Sequence, residues 1–462
     1  MIEVFKSVLR GVDGYAEIRY HKRVTTIIEA RNGTLAKAEQ RTLAGAAVRC
    51  LIDGCWGFVS TSDVTESGLC SALADAIDGA AAAARIKKER AKLAPARMGE
   101  GEFVYYERGS EPSIAEKIAR VLEAEERLRS RSELIVGSVV RYTHYDDEKY
   151  IVNTDGAAAH IVDSKQSIHV FATAGRDGKL ETDVKAWGVT GSWQALMEKG
   201  DLDQMVDRAA QGAIEKLDAG YAPGGQYTVI LDPGLVGVLS HEAIGHTVEA
   251  DFVLAGSIAK GKIGQRVASE LVTMVDDGNV PGAAGMVLVD DEGVQGERTV
   301  LIENGVLRAY LHNRESAAML GAAPRGNARA FTYRDEPLIR MTNTFILPGK
   351  DDLKAMISEV EDGFFLSGLG QGGQADSDAE FMFSVGQAWR IRDGRLCEPV
   401  KGVTISGQAF EVLSSVDAVS SGFKLDMGAG HCGKWQPAKV DAGGPYLRCR
   451  VTIGGRQDER EQ

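Results

Sequence analysis

The stretch Tyr-Thr-Val-Ile-Leu-Asp-Pro-Gly-Leu-Val-Gly-Val-Leu-Ser-His-Glu-Ala-Ile-Gly-His, at residues 227–246, determines how the second half of the chain begins to fold. Residues 227–231 form a short apolar run, which predicts a buried strand. Asp232 followed by Pro233 predicts a helix N-cap and a proline at the first helical position. The stretch therefore predicts a strand, a turn and an apolar helix that leads into His241.

This helix carries two imidazoles and a carboxylate in the pattern His-Glu-x-x-x-His, at His241, Glu242 and His246. Histidine is a common zinc ligand, and a neighbouring glutamate can serve as the base when zinc activates water for hydrolysis. On an ideal α-helix the second histidine would lie about 140° from the first, whereas a four-residue spacing would leave about 40°. We therefore expect a distortion between residues 243 and 247, either a π-bulge or a helix that ends near Gly245.

Two histidines do not complete a catalytic zinc site, which usually has three protein ligands and one open position. Glu249 and Asp251 lie nearby in sequence, but we expect both in solvent. Cys432 is a more distant candidate, because a thiolate binds zinc strongly and Lys434 would help to keep it deprotonated. His431 is a rival ligand beside it. The alternative is that Cys432 only fills space in the core, since a free cysteine commonly behaves as a small buried apolar residue.

Short motifs follow one another along nearly the whole chain. They lie at residues 46–58 (AAVRCLIDGCWGF), 60–63 (STSD), 241–246 (HEAIGH), 324–329 (PRGNAR), 341–349 (MTNTFILPG), 368–373 (GLGQGG), 399–402 (PVKG), 432–434 (CGK) and 451–455 (VTIGG). Together they resemble the PmbA/TldD family, and specifically its metal-bearing TldD-type subunit. One motif departs from the family pattern, because Trp435 stands where the family usually continues Cys-Gly-Lys with Gly-Gln.

The resemblance implies a zinc peptidase of the cytoplasm. Its Zn²⁺ ligands would be His241, His246 and Cys432, with Glu242 as the general base. It also implies broad recognition of small or unfolded peptides, inside a chamber formed by two subunits. The partner would be a PmbA/TldE-like sister subunit, or a second copy of this chain. The histidine before Cys432 is not a fixed feature of the family, which weakens its claim as a ligand.

Composition and charge agree with a soluble enzyme. Of the 462 residues, 44% are hydrophobic and 26% are charged, which is ordinary for a globular protein. The net charge of −13 argues against nucleic acid or an anionic membrane as the main partner. Six irregularly spaced cysteines suit a reducing compartment. Because Met1 begins no signal-like segment and no apolar run is long enough to span a bilayer, we expect a cytoplasmic location.

The element pattern predicts an α+β fold. An N-terminal mixed α/β domain is expected over residues 1–220, with helices at 113–129 and 194–217, and the resemblance gives it the role of forming the dimer and the chamber. A strand-rich, largely antiparallel C-terminal domain is expected over residues 225–462, and it carries the metal-binding helix. Small and turn-forming residues at 219–225 separate the two.

Two other functions are compatible with the motifs. The first is a non-catalytic peptide-binding subunit with a structural zinc, which predicts a closed site with a fourth ligand such as His431. The second is a zinc amidohydrolase that acts on a small molecule. The glycine-rich residues 368–373 lack a P-loop pattern and are expected to let peptide backbone approach closely. Residues that could stabilise an oxyanion or hold a substrate are 312–314, Arg325, Arg329 and, more weakly, Arg340.

Overall fold

The computed structural model describes residues 1–107, 109, 111–375 and 379–454, and only the backbone of residues 371, 374 and 375. The last residue of the 451–455 motif and the end of the predicted C-terminal domain lie outside the described residues. Within them the fold is α+β, with mostly antiparallel sheets, as the sequence predicts. Among the described residues, no helix combines the length and the apolar character needed to cross a membrane.

The first half of the chain is built on one seven-stranded sheet. Its strands are β1 (Tyr15–Arg31), β2 (Thr34–Ile52), β3 (Cys55–Thr61), β4 (Glu100–Val104), β5 (Ile135–Asn153), β6 (Ala158–Arg176) and β7 (Lys179–Thr190). The order is β3-β2-β1-β5-β6-β4, and β7 pairs with the far end of β6. All pairs are antiparallel except that of β4 with β6.

Helices cover this sheet and bury its apolar residues. They are α1 (Ile2–Val8), α2 (Glu66–Ala84), α3 (Ile114–Ser130), α4 (Trp193–Glu198) and α5 (Leu202–Asp218). Ser113 caps α3 in a capping box with Glu116, close to the predicted start. The single helix predicted at 194–217 is wrong, because Asp201 accepts hydrogen bonds from two backbone N–H groups and starts α5 as a separate helix.

The second half contains the remaining strands. They are β8 (Gly220–Tyr221), β9 (Gly225–Leu231), β10 (Met274–Asp276), β11 (Thr299–Glu303), β12 (Val306–Leu307), β13 (Ala328–Arg329), β14 (Leu338–Ile339), β15 (Asn343–Ile346), β16 (Asp362–Ala375), β17 (Glu380–Arg392), β18 (Arg395–Lys401), β19 (Thr404–Gln408), β20 (Ala418–Leu425), β21 (His431–Lys434), β22 (Gln436–Lys439) and β23 (Asp441–Gly454). Twelve of them form one sheet, while β13 pairs with β14 and β21 with β22.

The long strand β23 organises the second sheet, because it pairs with β9, β15, β19 and β20. The helices of this half are α6 (Pro233–Val238), α7 (Ala250–Ala255), α8 (Arg314–Leu320), α9 (Leu353–Ser358) and α10 (Ala409–Ser414). Helix α6 packs against β23 and is buried along its whole length. The chain that continues from α6 is therefore held against the core of the second sheet.

A buried charged contact joins the two halves. Asp291, in a loop of the second half, lies 3.3 Å from an Nη of Arg19 in β1 and 2.8 Å from Nζ of Lys149 in β5. Next to it, Glu292 lies 2.8 Å from an Nη of Arg49 in β2. The two acidic residues thus face a basic row on the first sheet, in which Arg19 and Arg49 are almost fully removed from solvent and Lys149 is 16% exposed.

Candidate metal centre

The strand, turn and helix predicted at residues 227–246 are confirmed. Strand β9 ends at Leu231, and the side chain of Asp232 accepts a hydrogen bond from the backbone N–H of Leu235 at 2.9 Å. Pro233 is the first residue of α6. Asp232 also accepts from Ser367 Oγ at 2.7 Å, which fixes the start of the helix to the neighbouring strand β16. The helix therefore has a defined origin and direction.

The predicted distortion is a π-helix, which covers Leu239–Gly245 and is followed by a 3-10 turn at His246–Val248. It begins four residues before the predicted interval. The backbone N–H of His246 donates to the carbonyl oxygen of His241, the hydrogen bond of a π-helical turn. Since this turn is wider than an α-helical turn, it brings the two imidazoles to the same side of the helix. Their ring centroids lie 5.3 Å apart.

Cys432 reaches this helix from a β-hairpin. It lies in β21, which pairs with β22 around a tight turn at Trp435. The buried guanidinium of Arg340 donates to the carbonyl oxygens of Cys432 and Gln436, both at 2.6 Å. Arg340 is thus part of the scaffold that holds the hairpin, and its contacts do not support the predicted role in substrate binding.

The three sequence-predicted ligands come together in space. One donor atom from each of His241, His246 and Cys432 lies within 4.8 Å of the others. Cys432 Sγ and His246 Nε2 are 3.2 Å apart. Ligands around a tetrahedral zinc ion lie roughly 3.3 to 3.6 Å from one another. A modest adjustment of these side chains would therefore accommodate the ion.

The surroundings of His241 support the fit of a zinc ion to this cluster. His241 is 1% exposed, and neither of its ring nitrogens has a hydrogen-bond partner in the described part of the chain. Unpaired buried polar atoms cost free energy, so their presence points to a missing partner. Two imidazoles and a thiolate form a ligand set that suits zinc.

The electrostatics of the cluster favour a thiolate. Burial alone would raise the pKa of Cys432, but the positive charges of His241 and His246 outweigh it and lower the pKa to about 5. Burial likewise opposes the charged form of His241, while the neighbouring Cys432 raises its pKa. A deprotonated sulfur is therefore available at neutral pH, without a contribution from Lys434.

Glu242 lies beside the cluster and is partly open to solvent. Its carboxylate lies 3.6 Å from Nε2 of His246, at the edge of the cluster. Its side chain is 37% exposed, more than that of His246. A carboxylate beside the cluster and open to solvent can exchange protons with water and with a substrate.

Two predictions about the surroundings are wrong. Glu249 is fully buried instead of solvated, and its Oε2 lies 2.9 Å from Nδ1 of His246. Lys434 does not face the sulfur of Cys432, since its Nζ lies 3.0 Å from Glu249 and 2.6 Å from the partly exposed Asp251. The sequence contained one signal for the first contact, because residues three apart on a helix face the same side. The second contact depends on the tertiary fold.

The other candidate residues lie outside the cluster. His431 faces the ring of Tyr145. His312 bonds with Ser316, Arg314 donates to Asp155, Arg325 pairs with Glu297, and Arg329 donates to the carbonyl oxygens of Met341 and Lys439. The glycine-rich residues 368–373 belong to β16, where the pairing with β17 is irregular.

Comparison with known proteins gives consistent matches over the whole chain. Models of the PmbA/TldD family match residues 16–84 (PmbA/TldA metallopeptidase domain 1), 107–217 (central domain) and 224–455 (C-terminal domain). The chain is 34% identical to a metalloprotease of Methanothermobacter thermautotrophicus over 96% of this chain and 95% of that protein.

Two further matches are to a curated protein and to a solved structure. A zinc metalloprotease TldD homolog of Saccharolobus solfataricus is 28% identical, with 96% of each chain covered. The crystal structure of TldE from Thermococcus kodakarensis has a TM-score of 0.76 and 17% identity, and the match covers 98% of this chain and 99% of that one. At that identity, the likeness to the solved structure concerns the fold alone.

Proposed function

This chain belongs to the PmbA/TldD metallopeptidase family, and from that premise we propose that it is a zinc-dependent peptidase of the His-Glu-x-x-x-His type. One observation carries the proposal. His241, His246 and Cys432 converge in a cluster, neither ring nitrogen of His241 has a geometric hydrogen-bond partner among the described residues, and Glu242 stands at the solvent side of the cluster. Three donors leave one position free for water, which is the arrangement of a catalytic zinc site.

Each residue has a defined task in this proposal. His241, His246 and Cys432 would hold the ion, which, when bound, activates water and polarises the scissile carbonyl. Glu242 accepts the proton of the attacking water and delivers it to the leaving amine. The partial exposure of Glu242 suits both steps, because the carboxylate must meet water first and the substrate nitrogen later.

We infer a broad preference for small or unfolded peptides. An extended peptide can add to a sheet edge through its backbone, which gives affinity with little dependence on sequence. The register of β16 against β17 shifts between Leu369 and Gly373, and this irregular segment is where we place such an addition. Gly368 and Gly372 have positive φ values of 70° and 89°, so this segment takes a course that favours glycine.

The assembly belongs to the same proposal. We infer pairing with a TldE-like sister subunit, or with a second copy of this chain, because the fold matches TldE along nearly its whole length. The N-terminal domain, residues 1–220, would form the dimer and its chamber, and the C-terminal domain, residues 225–462, would carry out hydrolysis. A cytoplasmic location fits the free cysteines.

Zinc content tests the proposal directly. Elemental mass spectrometry of the purified chain should find about one zinc per chain, as expected for a single catalytic site. Cys432→Ser should lose most of it, whereas Cys449→Ser, which changes another buried cysteine outside the cluster, should keep it. Zinc that survives Cys432→Ser would remove this cysteine from the ligand set. Wild-type protein without zinc would overturn the proposal and favour a metal-free partner subunit.

A further inference from the structure

A fully buried carboxylate contacts the side of His246 that faces away from the proposed ion. Glu249 is 0% exposed, and its Oε2 lies 2.9 Å from Nδ1 of His246. An ionised carboxylate only accepts hydrogen bonds, so the proton of the imidazole lies on Nδ1. When the imidazole is neutral, its lone pair is therefore on Nε2, and Nε2 is the nitrogen that lies 3.2 Å from Cys432 Sγ.

The backbone of Glu249 is held firmly. It follows the 3-10 turn directly, and its N–H donates to the carbonyl oxygen of His246 at 3.2 Å. On its two sides, Leu311 donates to the carbonyl oxygen of Val248 and accepts from the N–H of Ala250, both at 2.9 Å. The carboxylate therefore reaches His246 from a fixed position.

Lys434 joins this carboxylate to the hairpin that carries the cysteine. Its Nζ lies 3.0 Å from Oε2 of Glu249 and 3.0 Å from the carbonyl oxygen of Ile339. Lys434 is two residues from Cys432 in β21, so both side chains are on the same face of the strand. One carboxylate oxygen thus touches a group from each of the two elements that supply ligands.

Stability alone does not account for this arrangement. Oε1 of Glu249 is buried without a hydrogen-bond partner in the described residues. Burying an ionised group with an unpaired oxygen is costly, and apolar residues of the same size often stabilise a fold as well as a buried ion pair does. The group is, however, correctly placed to orient a ligand, as outer carboxylates commonly do for metal-bound histidines.

We propose that Glu249 is a positioning residue of the metal centre, which orients His246, and that Lys434 acts through Glu249 to hold the cysteine hairpin against the histidine helix. The inference rests on the proposed function, because it assumes that His246 and Cys432 bind the same ion. Glu249 itself is not a ligand in this proposal, since its contacts are to Nδ1 and to the ammonium group.

The test is the zinc dissociation constant of the full-length chain, measured by competition with a chromophoric chelator. Glu249→Gln should weaken zinc binding by about 10- to 100-fold, the usual effect of losing such a partner. The matched control is Glu125→Gln, which changes another fully buried glutamate, in α3 of the N-terminal half. Unchanged affinity in folded Glu249→Gln, or an equal loss in the control, would overturn the inference.

Two more variants separate positioning from charge balance. Glu249→Asp keeps the negative charge but withdraws the carboxylate from His246. If Glu249 positions His246, zinc binding should weaken; if Glu249 only balances charge, zinc binding should stay unchanged. If Glu249→Gln does not fold, the zinc affinity of Glu249→Asp decides whether Glu249 is a positioning residue. Lys434→Met should weaken zinc binding in the wild-type background and have little further effect in Glu249→Gln. Additive losses of zinc affinity would contradict the proposal that Lys434 acts through Glu249. Wild-type protein that binds no zinc would instead overturn the proposed function.

Discussion

The backbone N–H of His246 donates to the carbonyl oxygen of His241, five residues earlier in the chain. This single bond resolves the conflict between the His-Glu-x-x-x-His spacing and the geometry of an α-helix. Without it, the two imidazoles would point in directions about 140° apart. The π-helical turn is thus a requirement of the proposed site, and the residues that permit it should be sensitive to substitution.

Gly245→Ala tests that requirement. A Cβ at Gly245 would lie 1.9 Å from Sδ of Met341, which is fully buried, and 3.2 Å from the carbonyl oxygen of Ser240. We expect a loss of about 1 to 3 kcal/mol in the free energy of unfolding, from overpacking, together with weaker zinc binding because His246 follows directly. Urea unfolding and zinc competition measure the two effects. Gly79→Ala is the control, since a Cβ there meets nothing within 4 Å, and it should be neutral or stabilising.

Much of this region could be predicted from sequence. Asp232 and Pro233 identified the start of the helix, and the five-residue spacing identified the need for a distortion. These features are local, so local rules describe them. The role of Glu249 could not be predicted, because its burial depends on Lys434 arriving from a hairpin 185 residues away. The break at Asp201 was missed because its capping bonds compete with a continuous helical pattern.

Glu242→Gln separates catalysis from metal binding. The amide cannot accept a proton from water, so the rate of peptide cleavage should fall by about 10²- to 10⁴-fold. Zinc content should stay unchanged, because Glu242 lies beside the cluster and is not one of its three donors. Peptide hydrolysis and elemental analysis on the same samples measure both effects, with Glu303→Gln as a surface control. Full activity in Glu242→Gln would favour a structural zinc, and turnover of small amides alone would favour an amidohydrolase.

Asp291→Asn should separate or loosen the two halves. The substitution leaves the buried Arg19 and the partly exposed Lys149 without their carboxylate, and breaking a buried pair from one side costs about 3 to 5 kcal/mol. Chemical denaturation should show the loss, either as a lower midpoint or as two separate transitions. Glu297→Gln is the control, because its pair with Arg325 is exposed and contributes about 0 to 1 kcal/mol. An equal loss in the free energy of unfolding for the two variants would contradict the idea that burial makes the Asp291 contacts important.

Buried histidines should make the fold sensitive to mild acid. Burial lowers the pKa of His312 to about 4, against about 6.5 for an unfolded histidine. Between these values the unfolded chain binds the proton more strongly, so the stabilising contribution is complete above pH 6.5 and is lost as the pH falls toward 4. Urea unfolding of metal-stripped protein at pH 7, 6 and 5 should show this loss. His312→Gln should make the free energy of unfolding depend less on pH. An unchanged slope of that free energy against pH would contradict the prediction. His160→Gln is the control for removing a histidine.

Trp435 combines an unfavourable backbone with an exposed aromatic ring. Its φ is 59°, in the left-handed region, and 87% of the residue is exposed. That conformation costs an L-residue about 1 to 2 kcal/mol, whereas glycine adopts it freely but loses about 0.5 to 1 kcal/mol of chain entropy. Trp435→Gly should therefore raise the free energy of unfolding by about 0.5 to 1 kcal/mol.

The same variant should weaken peptide binding. At 87% exposure this residue packs little against the described part of the chain, and backbone strain of this kind is often kept for function. Because Trp435 lies three residues from Cys432, on the hairpin that supplies the thiolate, we expect KM for peptides to rise while zinc content stays constant. Asn304→Gly is the control, since Asn304 has a φ of 47° in the turn between β11 and β12. An unchanged KM would show that the indole does not contact the peptide, and a loss of stability would show that it packs against the fold.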